Sequence, residues 1–244
     1  QVPVLADLTI PDQTGRVAPR KTLLWGNRNG FFYVIDRTDG KFIRGKPFAT
    51  VTWATGLDDS GRPVLAKGME PSAEGKKIYP SAIGATNWFS PSFSPRTGLM
   101  YVSTWEEVYG NFVKTNQEYN EGTRFVGGAP GIAIPPLRGP QFRKPEEKIG
   151  YGAVRALDPR TGDRKWEYKM GDVTMSGILT TASDLLFTGG REGFFQALDA
   201  RDGKLLWKIN AGGDIAMGPM TYSVNGKQYL VFSAGSSLFV YGLR

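Results

Sequence analysis

The chain contains no cysteine and no histidine among its 244 residues. Their absence excludes disulfides within the chain, thiolate or imidazole metal sites, Cys- or Ser/His-based nucleophiles, and covalently attached c-type haem. No apolar run approaches the roughly 18 residues that a membrane-spanning helix needs, so no membrane span is expected. Lys and Arg outnumber Asp and Glu by 30 to 23, a net charge of +7, but no five basic residues adjoin. That pattern reads as a basic solvated surface rather than a nucleic-acid-binding tract, with an acidic protein partner as the alternative. The amino end, Gln1-Val2-Pro3-Val4-Leu5, has no basic stretch followed by an apolar one and reads as though cut from something longer. Any chemistry must use carboxylates, Arg, Lys, Tyr, amides or a bound cofactor.

What the chain has in excess is turn formers. Its 32 Gly and 16 Pro make up about a fifth of the residues, against roughly an eighth in average usage. They fall in a repeat. Asp158, Gly162 and Trp166 recur as Asp199, Gly203 and Trp207 at an offset of 41, and residues 28–41 match 191–204 at 8 of 14 positions with an offset of 163. That offset is close to four periods. Ser94-Pro95-Arg96-Thr97-Gly98 reads as a weaker copy, and its spacings of 58 from Asp36 and 64 to Asp158 imply insertions.

Each unit reads as strand, turn, strand. Phe31, Tyr33 and Ile35 alternate with Phe32, Val34 and Asp36, and Asp-x-x-x-Gly then supplies a local N–H acceptor and a residue free to take positive φ. A Trp four residues past the Gly suits docking between units. A period near 41 with short strands and no helical periodicity predicts an all-β fold, a β-propeller of four-stranded antiparallel blades. Eight such blades need at least about 330 residues, so residues 1–244 are expected to form about four blades, half of a ring. Residues 106–150, with seven Gly and five Pro, read as a long insertion, either a covering loop over one face or padding between blades. Tyr222 to Phe232 predicts a strand, an Asn225-Gly226 hairpin turn and a strand, with a last strand over 237–241.

Gly26-Asn27-Arg28-Asn29-Gly30-Phe31-Phe32, Gly84-Ala85-Thr86-Asn87-Trp88 with Pro91-Ser92-Phe93-Ser94-Pro95, Gly177-Ile178-Leu179-Thr180-Thr181-Ala182 and Pro219-Met220-Thr221-Tyr222 stand in this order along the chain. Together these segments resemble the pyrroloquinoline quinone (PQQ)-dependent alcohol dehydrogenases, the methanol and ethanol dehydrogenase family. The resemblance implies an eight-bladed propeller with PQQ and a Ca²⁺ or lanthanide ion near its axis. It implies hydride transfer from an alcohol, aldehyde or sugar to the quinone, with electrons passed to a cytochrome c in the periplasm. Arg28 matches the family's cation beside the quinone oxygens, in a catalytic as well as a cofactor-binding place. Asn87 and Trp88 match an Asn-Trp pair at the cofactor, and Ala216 falls at a cofactor-contacting position. A fixed cation there stabilises charge developing on oxygen, and flat aromatic faces suit a planar ring.

The resemblance also marks gaps. The proton-accepting Asp, the metal ligands, a disulfide over the quinone and a Trp beneath it belong upstream in the family. Asp7 follows the place of that Asp and does not replace it. Met175 stands in a segment where many relatives place a Trp followed by Gly-Gly against the cofactor. Asp58-Asp59 and Glu146-Glu147 read as exposed loop charges, since hard cations want several converging oxygens. The expectation is therefore the carboxy-terminal half of such an enzyme, inactive by itself, completed by an upstream half or a second copy. The rival expectation is a non-catalytic propeller serving as a protein-binding scaffold, because fold alone does not fix function. The two part on whether Arg28, Asn87 and Trp88 come together.

Overall fold

A computed structural model describes residues 1–123, 125 and 150–242, and every element in them is a β-strand. The first sheet runs β1 (Val4–Pro11), β2 (Val17–Gly26), β3 (Phe31–Asp36) and β4 (Phe42–Pro47), each strand antiparallel to the next. A hairpin of β5 (Ala54–Leu57) and β6 (Pro63–Leu65) follows, then β7 (Lys76–Ile78). The second sheet is β8 (Ser92–Ser94), β9 (Leu99–Glu106), β11 (Tyr151–Leu157) and β12 (Arg164–Lys169), while β10 (Gly110–Phe112) leaves it to pair with β7. The third sheet holds β13 (Leu179–Thr180), β14 (Leu185–Gly189), β15 (Phe194–Asp199) and β16 (Leu205–Asn210). The last is three-stranded: β17 (Met220–Val224), β18 (Lys227–Ala234) and β19 (Ser237–Gly242).

The sheets stand as propeller blades, as the repeat predicts. Strand β8 lies beside both β1 and β13, and Ser92 Oγ and Thr180 Oγ1 are 2.6 Å apart, so first strands of successive blades meet at the inner edge. The period-2 pattern of β3 serves two faces. Phe32 and Val34 pack with Met100, Val102 and Leu157 of the second blade, whereas Phe31 and Tyr33 pack with Ala54 and Trp53 of the hairpin. Phe195 stacks on Phe232 at 3.8 Å between the third and fourth blades.

The repeated turn has one construction. The Gly40, Gly162 and Gly203 amides donate to the Asp36, Asp158 and Asp199 carbonyls at 2.8, 2.7 and 2.8 Å. Each Asp Oδ1 accepts the N–H two residues on, at 2.9 Å. In all three blades the register shifts one residue pair before the Asp. Trp166 leaves the second blade to dock on the third: its Nε1 donates to Ala200 O at 3.2 Å, and a Cβ on Gly203 would lie 2.6 Å from its ring. Arg44 occupies the corresponding place in the first blade and donates to Arg160 O. The Asn225-Gly226 turn has φ of +51° and +75°, the pair of positive values that a tight two-residue hairpin requires.

Two expectations about spacing are corrected. The first and second blades share one core, so the offset of 163 spans two blade steps instead of four, because, among the described residues, 48–91 and 107–123 are excursions from the blades. The Ser94 turn, with its Gly98 N–H to Ser94 O bond of 2.8 Å, joins first and second strands, whereas the Asp turns join the last two. It repeats the turn chemistry at another position of the blade. Of the predicted insertion, β10 returns to pair with β7, and 126–149, with Glu146-Glu147, lie outside the described residues. Asp58 caps the hairpin turn through the Ser60 and Arg62 amides at 2.8 and 2.9 Å, an exposed loop charge.

Candidate cofactor site

Arg28 sits at the apex of a turn built from its neighbours. Gly30 N–H donates to Asn27 O at 3.0 Å, Asn29 N–H to Asn27 Oδ1 at 3.0 Å, and Phe31 N–H to Asn29 Oδ1 at 3.0 Å. Asn side chains close such turns on their own backbone, and Gly30 at φ +95° completes it. The Arg28 side chain is left exposed, with Nη2 donating to Ala82 O at 2.5 Å.

The 81–88 segment lies against that turn. Ala85 N–H donates to Arg28 O at 3.0 Å, and a Cβ on Gly84 (φ +95°) would lie 2.8 Å from the Arg28 Cβ. Only glycine permits so close an approach. Asn87 Nδ2 donates to Ile83 O at 3.0 Å, and among the described residues its amide oxygen accepts no hydrogen bond. Trp88 is 52 % exposed, its ring 5.2 Å from that of buried Phe89. Phe89, Trp105, Val108 and Val173 form a small core under this segment, with Met175 packed against it. Met175 thus supports the segment that carries Asn87 and Trp88.

From Trp88 the inner edge continues blade by blade. Ile178 N–H donates to Ser90 O at 2.8 Å. A Cβ on Gly177 would lie 2.9 Å from the Gly218 Cα, and Ser176 Oγ donates to Met217 O at 3.1 Å. Ala216 lies half-buried at the far end of this row. Arg28 and the 84–88 segment are therefore in direct contact, while the residues after Ala216, Met217 and Gly218, touch the 176–178 segment.

Two features of the site are invisible in the residue pattern. The Thr86 side chain is buried, and its hydroxyl has no hydrogen-bond partner among the described residues. A cleft of about 390 Å³ opens beside Arg28, walled by Trp53, Ile78, Pro80 and Phe112. Those walls come from the β5–β6 hairpin and the β7–β10 ribbon, so the excursions from the blades build it. The only local signal for the first was a hydroxyl residue between Ala85 and Asn87; the cleft walls had none. Among the described residues no three metal-ligating side chains converge.

Comparisons with known proteins agree in direction. A family model described as the glucose/ethanol/alcohol dehydrogenase β-propeller domain, of the PQQ type, matches residues 167–230. Quinoprotein alcohol dehydrogenase PedH of Pseudomonas putida is 37% identical over 88% of this chain and 36% of its own length. The 1-butanol dehydrogenase (cytochrome c) of Thauera butanivorans is 34% identical over 95% of the chain and 33% of its own. Among solved structures, the quinohemoprotein alcohol dehydrogenase from Comamonas testosteroni superposes with TM-score 0.78 at 30% identity, covering 97% of this chain and 34% of that one. A europium-containing methanol dehydrogenase gives 0.77 at 30% identity, covering 95% and 38%. The chain spans about a third of the length of the curated relatives it matches.

Proposed function

We propose that this relative of the quinoprotein alcohol dehydrogenases forms one side of a PQQ site and takes part in oxidising an alcohol. The observation that carries the reading is the contact between the Arg28 turn and the segment bearing Asn87 and Trp88. A scaffold has no need to join a turn that bears an exposed cation to a segment that bears an amide and a half-exposed indole.

The residues present suit a planar quinone that carries carboxylates. Arg28 offers an exposed guanidinium engaged, among the described residues, through Nη2 with the Ala82 carbonyl, Asn87 an amide oxygen, and Trp88 a half-exposed flat face. When bound, PQQ supplies the hydride and electron acceptor that protein side chains lack. Arg28 holds a fixed positive charge beside the cleft, where it stabilises negative charge developing on oxygen; a preorganised donor of this kind contributes about 3 kcal/mol to the reaction barrier. Asn87 and Trp88 hold and orient the ring, and Ala216 lines the far side. The walls of Trp53, Ile78, Pro80 and Phe112 exclude water and leave room for a small apolar alcohol.

The carboxylate that takes the alcohol proton and the ligands of a Ca²⁺ or lanthanide ion come, in this reading, from outside these 244 residues, from the rest of the ring. The europium in one structural neighbour supports a lanthanide site, and the cytochrome c in one relative's name supports a cytochrome c acceptor; Ca²⁺ as the alternative ion and the periplasm as the place of reaction rest on the family resemblance alone. This chain alone is expected to turn over no alcohol. The test is dye reduction by the assembled enzyme with PQQ, Ca²⁺ or La³⁺, and primary alcohols. Turnover that needs PQQ supports the reading. An assembled enzyme inactive toward alcohols, aldehydes and sugars at saturating PQQ and metal overturns it and favours the scaffold.

A further inference from the structure

Arg155, on β11, is 1% exposed, the largest of the fully buried side chains. Its Nε lies 2.6 Å and its Nη2 2.5 Å from Glu167 Oε2. Nη1 pairs with Glu106 Oε2 and donates to Phe48 O. The other Glu106 oxygen accepts the Thr50 N–H at 3.0 Å and the Glu107 N–H at 3.2 Å. Burying an ion pair so completely costs several kcal/mol per ion, and apolar replacements of similar volume are often as stable. Stability alone does not call for this cluster.

What it grips is informative. Phe48, held by its carbonyl, donates its own N–H to Gly30 O at 2.9 Å. Trp105, the residue before Glu106, donates its N–H to Ala85 O at 2.7 Å, and Ala85 N–H donates to Arg28 O at 3.0 Å. Two hydrogen-bonded routes therefore run from the cluster to the 27–30 turn, one reaching it at Gly30 and the other at Arg28 itself. The third blade repeats the closing bond, Ala211 N–H to Gly193 O at 2.8 Å, but no charged side chain is recorded on the Ala211 carbonyl among the described residues. The buried charges are added at the copy that carries Arg28.

We propose that Arg155 and Glu106 are positioning residues that fix the 27–30 turn and thereby the direction of the Arg28 guanidinium. The functional consequence rests on the reading of Arg28 as a cofactor contact; the positioning itself does not. Both groups stay ionised: burial opposes each charge, but the hydrogen bond from Thr50 and the Arg155 cation hold Glu106 below its usual range, and Glu106 with Glu167 holds Arg155 above its own.

Glu106→Gln keeps the shape and the acceptor for Thr50 but removes the charge, and Arg155→Lys keeps the charge but loses the planar fork. Two readouts decide: amide hydrogen exchange, and PQQ affinity by absorbance titration of the assembled protein, each variant made with Arg28 and with Arg28→Ala. Exchange at the Gly30, Phe48 and Ala85 amides is expected to rise about tenfold, while amides of β15 keep their rates, as for local loosening. PQQ affinity is expected to fall about tenfold with Arg28 present and less than about twofold in Arg28→Ala, the non-additivity of residues acting through one another. Unchanged exchange in the turn overturns the proposal, as does an equal affinity loss with and without Arg28, which is what a merely structural role produces. If Arg155→Lys does not fold, Glu106→Gln decides alone. If Arg28→Ala itself leaves PQQ affinity unchanged, the cofactor reading fails, and the exchange rates still decide the positioning.

Discussion

Residues 28–41 and 191–204 are two copies of one design with two fates. Both open on an Arg in a four-residue turn: Gly30 N–H donates to Asn27 O at 3.0 Å and Gly193 N–H to Gly190 O at 3.1 Å, with glycine φ of +95° and +80°. Both then run a strand into an Asp-capped turn. What differs is what lies across from them. Arg191 stands near Asp214, and Glu192 beside it accepts the Gly171 N–H at 3.2 Å. Among the described residues the Arg28 side chain meets the Ala82 carbonyl, and it borders a cleft. At the other end, Gly203 lies under the Trp166 ring, while nothing stands within 4 Å of a Cβ on Gly40. The repeat makes the turns, and the neighbours brought by insertions and adjacent blades decide what each turn does.

That comparison can be broken at its outer turns first. Gly203→Ala forces a methyl at φ +77° into the Trp166 ring and is expected to cost about 3 kcal/mol, strain and overpacking together. Gly40→Ala meets only the strain, about 1 kcal/mol. Urea denaturation of the two variants reads the difference, and equal losses would mean that Trp166 does not dock on the third blade as described.

A smaller effect separates the same turns by pH. The Arg201 side chain and N–H hold the Asp199 carboxyl at about 2, and the Thr38 hydroxyl and N–H hold Asp36 below its usual range. A carboxyl depressed in the folded state stabilises above its unfolded pKa, near 4, and loses that contribution as pH falls through the folded value. The stability advantage of the parent over Asp199→Asn should therefore be full at pH 5 and shrink steadily toward pH 2. Asp36→Asn should show a shallower trend in the same direction. A gap that does not depend on pH would show that the Asp–Arg pair in the third blade is not formed in solution.

The fold was legible wherever its cause is local. Asp, Gly and Trp at fixed spacing announced turns whose bonds close within five residues, and Asn225-Gly226 announced its own hairpin. The offset of 163 does not give the blade count, because periodicity does not reveal that 48–91 and 107–123 leave the blades. The site was legible in part. The segments of Arg28, Asn87 and Trp88 were found through family resemblance, and Gly84 marks the close approach that joins them. Thr86, the cleft walls and the Arg155–Glu106 cluster were not found, since each depends on contacts between residues more than 20 positions apart. A lone Arg in an apolar strand gives no sign that its charge will be buried and shared. The +7 charge, too, has no structural partner in the described residues.

The central claim is that the first copy of the turn, and not the third, faces a cofactor. The direct measurement is PQQ binding to the assembled protein, followed by absorbance titration, for the parent, Arg28→Ala and Arg191→Ala. Loss of a charge-assisted hydrogen bond predicts about 30-fold weaker binding for Arg28→Ala, with Arg191→Ala within about twofold of the parent. Equal affinities for all three, or a loss confined to Arg191→Ala, would contradict the account.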